Sequence, residues 1–452
     1  MSDHVITKGL DIPIAGGASG AVVELDPPGT VAYSPTEFRG VVAKPAVREG
    51  DQVKRGSTLF FHKMQPEMVF RSPVAGTVKE IRRGRRRVIT DVVVERTGSE
   101  AEAGKSYTVA ELRQLSREDA LAALLATGMW ASLLTRPLDR VADPEVVPQS
   151  IFICGTESGP LQPGAAQLLS DDDREPIQAA ITALARICPK VHLTVPGGSK
   201  VPALEGLDGV ERHTFSGPHP SGVPGVQVNL VDPPRGSNQV WVVRAWDAAA
   251  MGRALLTGEF PAEWVYAAVG AGVEQPRFVK TVLGAPLRHV VGSVTGGDHR
   301  WIRGSVLTGE AVDSERWASF GARAVHVLPE EVPQDLFGWA LPMFGTWSFH
   351  RAFLSGFTNA KPDRGVDMRP GLWGGHRAIV PIGVYDKVVV TPDIMPEFLF
   401  KSIVAGDLEE SIQLGMLDLT AEEAALCTYI CPSKTDFDVL LREGLDLYER
   451  EA

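Results

Sequence analysis

Cysteine is scarce in this chain of 452 residues: its four thiols, Cys154, Cys188, Cys427 and Cys431, are too few and too scattered for a disulfide framework, which fits a reducing cytosol. Positive charge is also in deficit. A formal net charge of -11 argues against nucleic acid as a partner, because domains that bind a phosphate backbone gather basic residues to displace counterions. Long apolar runs are missing too: stretches such as Val265 to Val269 and Val388 to Val390 are of strand length, whereas a bilayer-spanning helix needs roughly 18 uncharged apolar residues. The opening MSDHVITKGLDIPIAGG has no basic segment followed by a long apolar one, so no secretory signal is expected. Any membrane role must then pass through partners.

What is present is enough apolar material for several cores. With 44% hydrophobic residues and roughly 150 residues per domain, about three or four domains are expected. The first hundred residues alternate short apolar runs with Gly, Pro and charged turns, a β signature. Within them Val47 to Ile81 carries turns at Glu49-Gly50-Asp51, at Gly56 and at Ser72 to Gly76. This segment resembles the biotinyl/lipoyl barrel-sandwich fold, in which two half-motifs flank a hairpin bearing a modifiable lysine. The carrier position is Gln65 here, and an amide cannot be acylated. Lys63, two residues away, is out of register, so an unmodified structural or docking module is expected. The Arg82, Arg83, Arg85, Arg86 and Arg87 cluster around Gly84 reads as a hairpin tip, suited to anionic headgroups or an acidic neighbour, or simply solvated.

Residues 98 to 120 have linker composition, and Glu111 to Gly128 has helical spacing. An α/β region follows: strand-like runs at Ser150 to Gly155, Lys190 to Val195 and Val226 to Val231 alternate with a helical pattern from Arg174 to Ile187. Cys154 and Cys188 read as small apolar residues within this core. Gly270-x-Gly272 after an apolar run is an incomplete dinucleotide motif, since Gln275 replaces its third glycine; a plain turn suffices. From about Asp363 the chain is loop-rich, and from Met395 four helical patterns follow, the third opened by a Thr420/Glu423 capping box.

Two segments carry the argument about chemistry. C-T-Y-I-C-P, from Cys427, matches the end of the C-x2-C-x2-C-x3-C-P iron–sulfur run, but Ala424 and Ala421 stand where the first two ligands belong, and methyl groups cannot bind iron. His213 and His219 are six apart, and His192, His350 and His376 have no neighbour at metal-ligand spacing, so no metal site is expected. Acidic pairs, nucleophile elbows, P-loops and H-E-x-x-H are likewise not evident, and no catalytic residue is assigned.

The order of K-G-L-D-I-P-I-A-G at Lys8, the barrel turns, F-S-G-P-H-P-S-G at Phe215, F-V-K-T-V-L-G-A at Phe278, I-R-G-S-V-L-T-G at Ile302, P-I-G-V-Y-D-K-V at Pro381 and A-L-C-T-Y-I-C-P-S-K at Ala425 resembles the NqrA family, the A subunit of the sodium-translocating NADH:quinone reductase, over nearly the whole chain. That family is similar in turn to the C subunit of the Rnf complex and to the flavoprotein subunit of respiratory complex I. The resemblance implies a barrel-sandwich domain over 1–100, a helical linker over 101–135, a Rossmann-like α/β core over 136–258, a β-grasp-like (SLBB) domain over 259–330, and a loop-rich and helical C-terminal domain over 331–452 with a degenerate ferredoxin-like end. It further implies a peripheral component on the cytoplasmic side of the bacterial inner membrane, with the other subunits of the complex as partners and ubiquinone as a contact.

Where those relatives place a glycine-rich loop over flavin and NADH, this chain has T-G-M-W-A-S-L-L-T-R-P-L from Thr127. Trp130, Ser132, Leu133 and Leu134 put side chains where backbone should approach a phosphate. The expectation is therefore a chain with no covalently bound cofactor, whose complex uses NADH elsewhere. The alternative is an electron-input subunit with its own flavin and cluster. Trp130, Trp347 and Trp373 could face a quinone ring, but core packing suits each, and no cofactor-binding residue is assigned.

Overall fold

The computed structural model describes residues 2–330, 337, 347, 349–351, 353–354, 357, 365–366, 368 and 376–451. Trp373 and residues 363–364, 367 and 369–375 of the loop-rich stretch from Asp363 lie outside the described residues.

The β-rich N-terminal region folds as two facing sheets. One orders the strands Thr30–Tyr33, Ile89–Gly98, Ala75–Arg83 and Gln52–Val53; the other orders Ala43–Pro45, Thr58–His62 and Gln65–Arg71. Alternation sends Phe60, Met68, Phe70, Val78, Val92 and Val94 inward, Leu59 is buried as well at a register shift between Thr58 and Phe60, and the Phe60 and Phe70 rings stack at 4.5 Å. His62 pairs with Gln65, so Lys63 and Met64 form the exposed two-residue tip of the expected hairpin. The Gln65 amide donates to the carboxylate of Asp143, a contact to a later part of the chain at the position where a carrier would hold its lysine. The arginine cluster is also a hairpin tip: Gly84 N–H donates to Val88 at 2.8 Å, and Arg83, Arg85, Arg86 and Arg87 are exposed.

Two short helices follow rather than one. Val109–Gln114 and Arg117–Ala126 are split at Leu115, because Ser116 adopts extended backbone and caps the second helix through Asp119 N–H. A six-stranded sheet then forms in the order Ser2–Val5, Glu211–Ser216, Val191–Pro196, Ser150–Cys154, Val240–Arg244, Leu134–Arg136, with every pair parallel except the last. Helices Arg174–Ile187 and Ala245–Thr257 pack together over this sheet, and Cys154 and Cys188 are buried within the region. The run Val226 to Val231, expected as a strand, is instead part of the helix Pro224–Val231. Pro224 sits at its first position, where a fixed φ and a missing N–H cost nothing, and Val228 packs on Phe152 and Cys154; tertiary burial overrides the β preference of its valines.

A second six-stranded sheet has the order Glu310–Val312, His299–Arg303, Ala324–Pro329, Glu263–Val269, Arg277–Val282, Val23–Glu24. Gly270 and Gly272 serve backbone crowding: Gly270 has φ 106°, and a Cβ there would lie 2.3 Å from the Val327 carbonyl oxygen. The segment before the barrel thus supplies a strand to each large sheet, at residues 2–5 and 23–24. The C-terminal helices Pro396–Ala405, Leu408–Gln413, Ala421–Ile430 and Phe437–Glu451 build a separate core around Leu399, Phe400, Leu426 and Phe437, joined by Ile12 and Ile14. No helix among the described residues is long and apolar enough to cross a membrane.

Candidate functional site

The loop that begins at Thr127 is a packed piece of core. Trp130 is fully buried, its Nε1–H donates to the Ala142 carbonyl at 2.7 Å, and its ring meets Trp241 edge-on at 5.5 Å. Leu133 is buried beside it, and Leu134–Arg136 continues as an antiparallel edge strand on Val240–Arg244. Buried Arg136 bonds the Asp139 carboxylate at 2.8 Å and the Leu419 carbonyl at 3.3 Å, tying the loop to the C-terminal helices. An isoalloxazine and its phosphate need bare backbone and open space; here that volume holds an indole and a leucine. The residues do not fit a flavin at this loop.

The cysteine run is likewise helical. Ala421, Ala424 and Cys427 lie on one helix, and Cys431 caps it with its N–H bonded to the Cys427 carbonyl at 2.9 Å. Glu423, fully buried, completes the expected capping box and does more: its carboxylate also accepts from the N–H groups of Val390 and Thr391, each at 2.8 Å. Burial pushes the Cys427 thiol up. Burial opposes ionisation of Cys431 too, but hydrogen bonds from Ser433 and Tyr385, the latter at 3.2 Å, outweigh it and bring that thiol below its ordinary range. Two thiols are two short of the donor set for a four-iron cluster, so these residues do not fit that group within this chain.

Two of the cavities among the described residues bear on ligand binding. A slot of about 250 Å³ lies next to the Thr127 loop, walled by Phe38, Ala131, Leu134, Val242 and Phe320, with Ser132, Arg39, Arg244 and Asp247 at its polar edge. Its floor is pinned by buried ion pairs. Glu37 accepts from Arg303 at 3.2 Å, from the Ser319 hydroxyl at 2.6 Å and from Phe320 N–H at 2.8 Å; burial still raises its carboxyl above the usual range. Asp247 pairs with Arg323, whose guanidinium lies 3.9 Å over the Trp264 ring, and burial raises this carboxyl as well. The larger cavity, about 890 Å³, lies between the 18–22 segment, Trp246 and Lys280. Its cations are already matched: Arg253 by Asp173, Lys280 by Glu263 at 2.9 Å and Glu24 at 3.3 Å, Arg323 by Asp247. Such a lining offers little net charge to a phosphate.

Of the histidines, His219 faces Glu422 at 3.4 Å and His350 bonds the Ile430 carbonyl at 2.7 Å, whereas His192 and His213, 21 residues apart, meet across neighbouring strands. Sequence spacing gives no sign of that pair; only strand register reveals it. Among the three tryptophans, Trp130 is core and Trp347 stacks on Tyr429 at 6.0 Å.

Three stretches of the chain match known family descriptions. Residues 4–97 match the family description "NqrA N-terminal barrel-sandwich hybrid domain", 115–260 match "NqrA second alpha/beta domain", and 265–314 match "NQRA C-terminal domain". Proteins named as the A subunit of Na(+)-translocating NADH-quinone reductase are 35% identical in Histophilus somni strain 2336, 36% in Actinobacillus succinogenes and 37% in Klebsiella pneumoniae strain 342, each with 99% of both chains covered. A solved NAD+-reducing [NiFe]-hydrogenase chain aligns at 14% identity and TM-score 0.36 over 75% of this chain and 63% of that one, too weakly to bear on function. The barrel-sandwich, α/β and SLBB architecture and the full-length similarity agree: the chain belongs to the NqrA family, the A subunits of the Na(+)-translocating NADH-quinone reductases.

Proposed function

We propose that this chain works as the peripheral, cytoplasmic A subunit of a complex that oxidises NADH, reduces ubiquinone and exports Na+, and that it scaffolds partner subunits without flavin or iron–sulfur cluster of its own. The observation that carries the second half is the Trp130 loop, whose side chains occupy the volume a flavin would need. Partner subunits would supply both the redox groups and the membrane contact.

The reading extends to quinone. A substituted quinone ring asks for a flat apolar slot with hydrogen-bond donors at its rim. The cavity bounded by Phe38, Leu134 and Phe320 has that character, with Ser132, Arg39 and Arg244 at the edge, and its volume of about 250 Å³ is of head-group rather than isoprenoid-tail size. Quinone would therefore enter head first and leave its tail to a partner or to lipid.

Affinity purification of the chain from its native membrane tests the first part: co-recovery of flavin-bearing membrane subunits with sodium-stimulated quinone reduction supports it. A lone protein argues against it, and an isolated chain with visible flavin absorption or stoichiometric iron overturns it in favour of an electron-input subunit. An intact mass carrying an adduct on Lys63 would instead indicate an acyl or biotin carrier. Photolabelling with an azidoquinone tests the slot; labelled peptides should fall in 127–142 or 315–323, and Leu134→Trp should abolish labelling.

A further inference from the structure

The parallel strands Val191–Pro196 and Glu211–Ser216 are in register with His192 opposite Glu211 and Thr194 opposite His213. Side chains alternate along a strand, so Glu211 and His213 share a face, and His192 joins them on it. There His192 Nδ1 lies 3.0 Å from His213 Nε2 and 3.7 Å from Glu211 Oε2. Among the described residues these three form a group whose ligand atoms all lie within 4.8 Å of one another.

The remaining nitrogens are also directed. His213 Nδ1 meets the Ser2 hydroxyl at 2.7 Å, and Ser2 in turn meets His4 Nε2 at 2.8 Å. His192, 1% exposed, aims Nε2 at the buried Asp232 carboxylate 3.8 Å away, and this nitrogen has no hydrogen-bond partner among the described residues. Asp232 is anchored by Lys190 at 2.9 Å. A ring that presents one nitrogen to a shared point and the other to a carboxylate has the arrangement that metal-binding imidazoles adopt, the carboxylate behind the ring orienting it and raising its basicity.

We propose that His192, His213 and Glu211 form a binding site for a divalent first-row transition ion, Zn2+ foremost, at the edge of the sheet where the N-terminal strand docks. Two imidazoles and one carboxylate are an open zinc donor set with the fourth position left to water. Metal–nitrogen bonds of about 2.0–2.1 Å in tetrahedral array separate ligand nitrogens by roughly 3.4 Å. The present 3.0 Å and 3.7 Å bracket that value, so small side-chain rotations suffice. Mg2+ and Ca2+ prefer all-oxygen cages and are disfavoured by the same donors. The half-exposed N-terminal strand and exposed Glu211 provide the entry path.

The test uses the untagged full-length chain, stripped with chelator and titrated with Zn2+ by calorimetry and with Co2+ by visible spectroscopy. The expected result is one ion per chain at micromolar affinity or tighter, with tetrahedral Co2+ bands and no thiolate charge transfer, which separates this site from the buried cysteines. Glu211→Gln, an exposed change that leaves the core intact, should weaken Zn2+ binding by about tenfold or more. His213→Gln should abolish the Co2+ bands, while His376→Gln, at an exposed histidine elsewhere, should leave binding unchanged. A wild-type chain that fails to bind either ion, or binding that is equal in wild type and Glu211→Gln, overturns the assignment.

Discussion

The Thr127 loop and the Ala421–Ile430 helix depart from the geometry of a cofactor site by opposite routes. The loop is overfilled, with Trp130 packed on Trp241 and bonded to the Ala142 carbonyl. The helix is under-equipped, with methyl groups at Ala421 and Ala424 where sulfur ligands would stand. Filling and stripping differ in cost. A side chain that has become core makes the fold depend on it, whereas a deleted ligand leaves the fold unchanged. The loop should therefore be sensitive to substitution and the helix tolerant at its alanines.

The sharpest way to break that contrast is Trp130→Ala. Removing a fully buried indole and its hydrogen bond should destabilise the chain by about 4 kcal/mol, read as a lowered midpoint in urea with unchanged slope. A loss under about 1 kcal/mol would mean that the loop is not core.

The helix should be fragile at its cap instead. Glu423→Ala orphans the N–H groups of Val390, Thr391 and Thr420, while the Thr420 hydroxyl keeps its bond from the backbone N–H of position 423; the expected cost is about 3 kcal/mol, checked by the same denaturation. Thr420 and Glu423 are legible as a cap because that signal is local, three residues apart. That Glu423 also holds Val390 and Thr391 is not, because those partners lie more than thirty positions upstream and only the fold brings them close.

The same division between local and distant signals runs through the molecule. The barrel turns, the hairpin tips at Lys63 and Gly84, the Arg174 helix and the four C-terminal helices can be read from period and punctuation. Glu111 to Gly128 looks continuous because Ser116 is as good an N-cap as a helix residue is poor, and periodicity alone does not weigh the two. Pro224–Val231 misleads because its valines favour a strand locally, while packing on Phe152 decides for a helix. His192 and His213 share no sequence spacing at all, so the candidate metal site becomes visible only with register in hand. The slot beside Phe38 is assembled from the barrel, the Thr127 loop, the strand Val240–Arg244 of the first large sheet and the turn 319–321, and no short segment encodes it.

A smaller effect probes the joint between the two large sheets. His326, fully buried in the strand Ala324–Pro329, faces the Pro160 carbonyl at 3.3 Å, and burial holds its pKa down to about 4 from the ordinary 6.5. Well above pH 6.5 the ring is neutral in both folded and unfolded chains and costs nothing. As pH falls the unfolded chain takes up a proton that the folded chain refuses, so stability declines until the folded ring also titrates. The loss should reach about 2 kcal/mol by roughly pH 5, and His326→Gln should remove that part of the slope.

The smallest expected effect bears most directly on the opening contrast. Ala421→Cys combined with Ala424→Cys restores the full C-x2-C-x2-C-x3-C-P spacing on paper. The capped helix, however, spreads the first and last of these positions over about 15 Å along its axis, at 1.5 Å per residue, and four sulfurs on one intact helix cannot converge on a single cube. The double variant should fold with a loss of about 1 kcal/mol, from the extra atom at fully buried Ala424, and should take up no cluster when reconstituted with iron and sulfide. Stoichiometric iron and sulfide in the purified variant would mean that the helix unwinds readily to recover a ligand loop. In that event missing sulfur alone, and not the helical capping around Glu423, would be what separates this segment from an iron–sulfur site.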